Sequence, residues 1–556
     1  MQQTCRQCST SFEITSDDLA FLEKVLPVFN GKPALIAPPS SCPLCRCRMR
    51  MAWRNERTLY RRNCALCEKS MITIFHPDEP YIVICTSCFW SDQWDPLTYG
   101  QTYDFSRPFT DQFVELLHRV PLIGLINLNT EKSEYCHRIF SGRNNYLSFI
   151  AIFEPENLYY TYYTISCKDC VDVTNCQYCE RCYELTDSER CYQCAFGNRI
   201  KNCRDSMFLE DCVGCSHCYR CKNLHQKSYC IENKQYSKEA YEAEIHTKHL
   251  DSIAALAQQQ KMAQNFHLTL PHRAAVRINC EYATGANIYN CRESTNIFDF
   301  YESERMVHCA QGEVSHDCMD CFGFGKGEFC YESTSFMGGQ LLRFCIDCTT
   351  GSDMLYSYSC FQNSEHCFGC VSLKRGSYCI LNTQYTQEEY ESLVPKIIAH
   401  MRYIGEWGSF FPPSLSPYGY NETEGATFSA VSEEQAARLG LRWRIPNTQH
   451  RIQQIASIPD RITDVVDTIV DTILHCAACG KQFKIILQEL NFLRDLKVAL
   501  PTCCPDCRHR TRMASRAPFQ LWKRNCQKCS KEMDASYAPE RPEIVYCENC
   551  YLASVY

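Results

Sequence analysis

From Cys167 to Cys230 the chain keeps one phase, with a small or apolar residue at nearly every third position. Cysteine occupies 170, 176, 179, 182, 191, 194, 203, 212, 215, 218 and 221 of that phase. Leu185, Ser188, Gly197, Ile200, Ser206 and Leu209 fill its gaps. Residues off the phase are mostly polar or charged, as in ERCYELTDSERCYQC. A helix requires a period of 3.6 and a lone strand a period of 2, so neither explains the pattern. Stacked coils of short strands and frequent corners do, with thiols pointing inward. Because Cys176, Cys194, Cys212 and Cys230 stand 18 apart, the expected coil has 18 residues.

The phase returns at Cys291 and runs through Ser294, Ile297, Phe300, Ser303, Met306, Cys309, Gly312, Ser315, Cys318, Cys321 and Phe324. It continues through Cys330, Cys345, Cys348 and Cys360, then slips by one residue before Cys367. The two arrays end alike, in CYRCKNLHQKSYCIENKQYSKEAYE and CFGCVSLKRGSYCILNTQYTQEEYE. Each ending predicts a capping helix, one started by Ser237 and the other by a Thr386/Glu389 capping box. DQFVELLHRVPLIGLINL predicts a short amphipathic helix and strand that dock the first terminal module onto the first array. The stretch 405–425 is a Pro/Gly/aromatic connector whose Trp407, Phe410, Phe411 and Tyr418 pack on the solenoid or form a partner site. RITDVVDTIVDTILHC (461–476) reads as a strand or a helix.

Outside the arrays, one cysteine lattice is written at both ends. Cys42, Cys45, Cys64, Cys67, Cys85 and Cys88 recur at a single offset as Cys504, Cys507, Cys526, Cys529, Cys547 and Cys550; Cys5 and Cys8 recur as Cys476 and Cys479 after a shorter loop. Two C-x-x-C turns close a tetrahedron of soft sulfur ligands, so each end predicts two structural Cys₄ zinc sites, about four Zn²⁺ per chain. Sequential and cross-brace pairings both fit, sequential being favoured. Four thiolates leave no open position for substrate. Cys47 aligns with His509, an exchange that keeps ligand capacity, but with the Cys₄ sites already filled an unrelated surface substitution is the favoured reading.

The expected architecture is mainly β with short helices. A double zinc-ribbon-like module (1–100) is followed by a connector (101–135). Two cysteine-rich β-solenoid halves with cap helices come next (136–265 and 266–402). A second connector (403–470) leads to a C-terminal double zinc module (471–556). Arg46, Arg50, Arg54, Arg57 and Arg61 would share one face of a long helix, with Arg508, Arg512 and Arg516 as counterparts, although Pro518 limits the second helix. Beside Trp53, Tyr60 or Trp522 such faces would grip phosphates and stack bases. The plainer reading is a solvated surface paired with acidic neighbours such as those of SDDLAFLE.

Composition narrows the classes. The formal net charge of −7 excludes a globally basic nucleic-acid binder, leaving only local patches. With 44 cysteines, no secretory signal at MQQTCRQC and no apolar run near membrane-spanning length, a reducing cytoplasmic setting is expected, without membrane association. The central cysteines read as buried free thiols, as further metal sites (Cys179–Cys182, Cys212–Cys215 and Cys218–Cys221 being the densest), or as disulfide ladders. No G-x-S-x-G, H-E-x-x-H or P-loop is present, and His316-Asp317-Cys318 is the one dyad seed, so no enzyme is expected.

CPLCRCRMRMAWRNERTLYRRNC, the WSDQWDPLTYG run and the SYCI-x-N-x-QY motif resemble an uncharacterised cysteine-rich zinc-ribbon family of candidate-phyla bacteria and giant viruses. The resemblance covers most of the chain and implies zinc binding, but no biochemical activity. The last module departs from it: Ala517–Pro518 replaces the NER–T region, and no WSDQWDP run follows Cys550. The function expected is a non-enzymatic zinc scaffold or adaptor binding nucleic acid or a protein partner, the alternative being metal storage or thiol redox chemistry.

Overall fold

A computed structural model describes the chain except residues 324–326, 329–330, 332–333, 335–338, 341–342, 344–345, 347–350, 362–363, 446–456 and 556. Phe324, Cys330, Cys345 and Cys348 of the expected inward column therefore lie outside the described residues. The protein is mainly β, with a duplicated β-solenoid in the centre and paired cysteine tetrads near both termini.

The coil has 12 residues rather than 18. Lys168 pairs with Glu180, Val171 with Tyr183, Thr174 with Thr186 and Gln177 with Glu189, all in parallel register. Left-handed residues supply the corners. Asp169, Asp172, Asn175 and Tyr178 turn one coil, and Arg181, Glu184, Asp187 and Arg190 turn the next. The period of three is thus the length of a side, and four sides close a coil. An 18-residue spacing satisfies the side repeat but covers one and a half coils. One-residue insertions lengthen the coil locally, as in Phe149↔Tyr162 and in Gly351↔Ser364, just ahead of the slip before Cys367.

Each non-glycine left-handed corner costs about 1–2 kcal/mol. The backbone ladder offsets this, since side and corner N–H groups both find carbonyls on neighbouring coils: Lys168 N donates to Cys179 O at 3.0 Å and Arg181 N to Lys168 O at 3.2 Å. Inside, the thiol is a small weak donor. Cys182 Sγ donates to Glu180 O at 3.3 Å and Cys191 O at 3.5 Å, and the pattern repeats at Cys191, Cys203, Cys212 and Cys309. Serine does the same at Ser188 and Ser206, where Oγ donates to the carbonyl two residues back. A side chain here must be small and able to reach a carbonyl, which explains why cysteine and serine alternate in one column.

The capping helices form where expected. Lys238–His246 starts at Ser237, and Gln387–Ile404 starts at a capping box of Thr386 and Glu389. Each follows an antiparallel turn-back strand that ends the parallel ladder.

Chain contacts gather into two units, each joining segments distant in sequence. The first comprises Met1–Leu125, Ala275–Ile445 and Pro518–Leu521; the second comprises Ile126–Ala274, Pro446–Ala517 and Trp522–Tyr556. The expected docking of the N-terminal module onto the first solenoid half is therefore corrected. The amphipathic helix Phe109–Arg119 packs on the second half: Phe109 meets Tyr356 and Phe368, both at 5.3 Å between ring centres. Trp407, Phe410, Phe411 and Tyr418 are buried in that same core, Phe411 lying 4.6 Å from Phe113 and 5.7 Å from Trp53. In the second unit, Ile462, Val465, Leu490 and Leu493 pack against Tyr160, Val171 and Tyr183 of the first solenoid half. The 461–476 stretch there forms two 3₁₀ turns and the strand Leu474–His475.

Candidate metal centres

Each terminal module builds two tetrads by sequential pairing: Cys5/Cys8/Cys42/Cys45, Cys64/Cys67/Cys85/Cys88, Cys476/Cys479/Cys504/Cys507 and Cys526/Cys529/Cys547/Cys550. The four sulfurs of each lie within 4.8 Å of one another. The first pair of each tetrad sits on a tight turn beside a short strand, and the second pair opens on the N-terminus of a helix. Cys42 and Cys504 cap Pro43–Met51 and Pro505–Ser515, with proline at the first turn where its missing N–H is harmless. The second pair's backbone then donates to the first pair's sulfur: Cys42 N to Cys5 Sγ, Cys85 N to Cys64 Sγ and Cys547 N to Cys526 Sγ at 3.3 Å, and Cys504 N to Cys476 Sγ at 3.2 Å.

The sulfur spacing fits a metal. A tetrahedron with bonds of about 2.3 Å has edges of ~3.8 Å. Cys8–Cys42 measures 3.7 Å, Cys479–Cys504 and Cys529–Cys547 measure 3.8 Å, and Cys67–Cys85 measures 3.9 Å. Burial opposes ionisation of Cys64, Cys476 and Cys526, but backbone N–H donors outweigh it and bring each thiol down to about 6. These residues can hold four metal ions with closed all-thiolate coordination.

The other cysteines divide cleanly. Among the described residues, no group of three or more ligand atoms outside the four tetrads clusters tightly enough to be a candidate metal site. Cys179, Cys182, Cys212, Cys215, Cys218 and Cys221 are fully buried in the solenoid and free of disulfides. Cys47 packs beside Met51, and His509 is buried edge-on to Tyr162 at 5.2 Å; neither joins a tetrad. His316 faces solvent while Cys318 is buried, so the dyad seed does not assemble.

The arginine faces require the largest correction. The first helix ends at Met51, so Arg54, Arg57 and Arg61 lie beyond it. Arg46, Arg50 and Arg54 are buried to within 3% of full enclosure and do not face solvent. Arg46 Nε reaches Asp320 Oδ2 at 2.7 Å, and Arg50 Nη1 reaches Asp320 Oδ1 at 3.3 Å. Arg54 pairs with Glu56 at 2.7 Å and lies 5.0 Å above the Phe322 ring. Arg57 is half-buried and Arg61 exposed.

The second module repeats the device. Arg508 meets Asp172 at 3.2 Å and Glu489 at 2.7 Å; Arg512 meets Asp172 at 2.8 Å and Glu184 at 3.2 Å; Arg516 meets Asp187 at 2.8 Å. All three arginines are buried. The expected phosphate grips at Arg46, Arg50, Arg54, Arg508, Arg512 and Arg516 are therefore docking contacts that seat each module on a solenoid. Of the expected stacking residues, Trp53 is buried against Tyr358 and Phe411, while Tyr60 and Trp522 are half-buried.

Asp172 and Asp320 were not singled out by their sequence context. Both are left-handed corner residues, and both hold two arginines one helical turn apart. Burial opposes the charge on Asp320, but Arg46 and Arg50 hold its carboxyl below the ordinary range. A matched pair of corner aspartates in the two halves was the available signal, hidden among many acidic corners.

Among the described residues, no helix is long and apolar enough to cross a membrane. No protein-family model, curated protein or solved structure matches this chain.

Proposed function

We propose that this protein is a non-enzymatic, zinc-stabilised scaffold whose solenoid coils are held for display to a protein partner. The observation that carries this reading is the closure of both arginine faces onto buried carboxylates. A module whose cations are neutralised inside its own unit acts as a clamp, not as a phosphate grip. Closed thiolate tetrads supply rigidity without an open coordination position, and the repeat architecture supplies surface. The net charge of −7 likewise favours a protein over a nucleic acid as partner. Metal storage and thiol redox chemistry gain no support from thiols that are buried and bonded to carbonyls.

Elemental analysis combined with electrophoretic mobility shift tests the reading. The expected result is four zincs per chain and no shift of single- or double-stranded nucleic acid at physiological salt. Eight or more metals would replace it with storage. A salt-dependent shift lost in Arg61→Glu with Lys523→Glu, two exposed positions, would replace it with nucleic-acid binding.

A further inference from the structure

The second unit contains a cavity of about 620 Å³ between the first solenoid half, the end of the helix Ile253–Leu268, the helix Pro505–Ser515 and the loop around Tyr537. Its floor is a coil column in which Asn198, Glu210 and Lys222 pair in succession. The other solenoid fills the equivalent column with Ile346, Tyr358 and Val371, paired in the same succession and buried in an apolar core. One array therefore packs this column with hydrocarbon, while the other buries an acid, an ammonium and an amide there.

The charges in the cavity wall already cancel. Arg199 binds Glu210 and Asp211, each at 2.7 Å, and Lys222, with no exposed side-chain surface, binds Glu210 at 2.9 Å. Arg541 is paired with Glu543. Burial opposes the charge on Glu210, but Lys222, His267 and Arg199 keep its carboxyl well below the ordinary range. An ionic ligand would find no spare counter-charge, so the cavity suits an uncharged one.

Hydrogen-bonding capacity, by contrast, is left over. His267 Nε2, His272 Nδ1 and Asn198 Oδ1 are buried and have no partner among the described residues; the two histidines are at least nine-tenths buried. The neighbours set their roles. Nδ1 of His267 faces the Glu210 carboxylate at 3.2 Å and so carries the hydrogen, leaving Nε2 as its open position. Nε2 of His272 accepts from the Lys222 ammonium, leaving Nδ1–H as a donor. Three hydrogen-bonding atoms thus await a partner, at roughly 1–3 kcal/mol per unsatisfied buried group. The Tyr537 ring, 5.6 Å from His272 with the Arg541 guanidinium 5.5 Å from its centre, adds a flat wall.

We propose that this cavity binds an uncharged, nucleoside-sized heterocycle, whose amino and ring-nitrogen groups pair with Asn198, His267 and His272 while its ring lies against Tyr537. The volume falls within the range of about 300–1,000 Å³ typical of small-molecule sites. This goes beyond the scaffold reading and makes one of the two units a sensor.

The test is calorimetric titration of the zinc-loaded full chain with adenosine, cytidine, guanosine and uridine, with glucose as an uncharged polar control. At least one nucleoside is expected to bind, glucose is not, and Asn198→Ile should weaken binding about tenfold while Tyr537→Phe, which leaves the stacking wall in place, should not. Asn198→Ile installs the residue of the equivalent position in the other solenoid, and Tyr537→Phe keeps the ring, so both variants should retain the fold. Circular dichroism would check this. Absence of heat with every nucleoside at millimolar concentration, binding of glucose alone, or nucleoside binding unchanged in Asn198→Ile would each overturn the proposal.

Discussion

The two units solve one packing problem with different chemistry. Each sets a double cysteine module on a solenoid half through arginines that converge on a corner aspartate, Asp320 in the first unit and Asp172 in the second. In the first unit Asp320 bridges Arg46 and Arg50 beside an aromatic core containing Trp53, Tyr358 and Phe411. In the second, Glu489 and Glu184 give Arg508 and Arg512 a second carboxylate each, and the column that is apolar in the first unit carries Asn198, Glu210 and Lys222. A duplicated fold thus keeps its docking device while one copy exchanges apolar packing for a buried polar network. Such a network is no more stable than hydrocarbon, so its presence points to a use other than stability.

The largest effect that would break the comparison comes from the metal. Closed zinc sites contribute on the order of 10 kcal/mol or more to folding. Cys64→Ser should reduce the zinc content to three per chain and melt the first unit, including its solenoid, because Phe75 and Val83 of the module share a core with Tyr358 and Phe368. Cys526→Ser should do the corresponding damage to the second unit alone. Elemental analysis with hydrogen exchange resolved by segment reads both; loss of the module without loss of the solenoid would show that the shared core is dispensable.

Next come the corner aspartates. Asp320→Ala strands two buried arginines and should cost about 3–5 kcal/mol. Asp172→Ala should cost less, since Glu489 and Glu184 remain. Denaturant midpoints of the two variants test the order, and equal losses would mean that the extra carboxylates contribute nothing.

Exchanging the columns sharpens the contrast. Val371→Lys buries an ammonium in the apolar core beside Tyr358 and should cost several kcal/mol. Lys222→Val should cost about 2–3 kcal/mol by leaving Glu210 with Arg199 and two histidines as partners. Thermal unfolding would rank them.

The remaining effects concern pH and the thiols. Burial raises the Glu184 carboxyl to about 7, with Asp172 adding to the rise and Arg512 opposing it. A folded-state value above the unfolded one means that the folded protein holds the extra proton, so stability falls as pH rises from the ordinary carboxylate range toward 7. The second unit should lose about 3 kcal/mol across that window, and Glu184→Gln should flatten the slope. Asp320 has the opposite sign: its contribution is complete above the ordinary carboxylate range and is lost as pH falls below it. Cys191→Ser should change stability by less than about 1 kcal/mol, because serine already fills inward positions of the neighbouring columns at Ser188 and Ser206, with the same bond to the carbonyl two residues back.

Local chemistry was legible along the chain because it depends on spacing. The inward phase, the cap helices at Ser237 and Thr386, and the C-x-x-C pairs follow from residue type at short separation, whereas the sequential joining of those pairs into tetrads was only the favoured of two pairings until the fold settled it. The coil length was not legible, since a repeat of three is compatible with any whole number of sides, and only the cross-coil register of Lys168 with Glu180 selects four. The role of the arginines was misread for a related reason. An exposed cationic face and a buried docking face have the same local sequence, and the difference lies in whether Asp320 or Asp172 is brought opposite.

By itself, then, the sequence determined the cap helices, the inward phase of the thiols and the C-x-x-C ligand pairs, all of which are local in the chain. Tertiary structure alone decided which module sits on which solenoid, which arginines are neutralised and where a polar cavity opens. Those outcomes depend on pairing residues such as Arg46 with Asp320 and Lys222 with His272, whose encounter is set by packing across long separations rather than by any nearby residue.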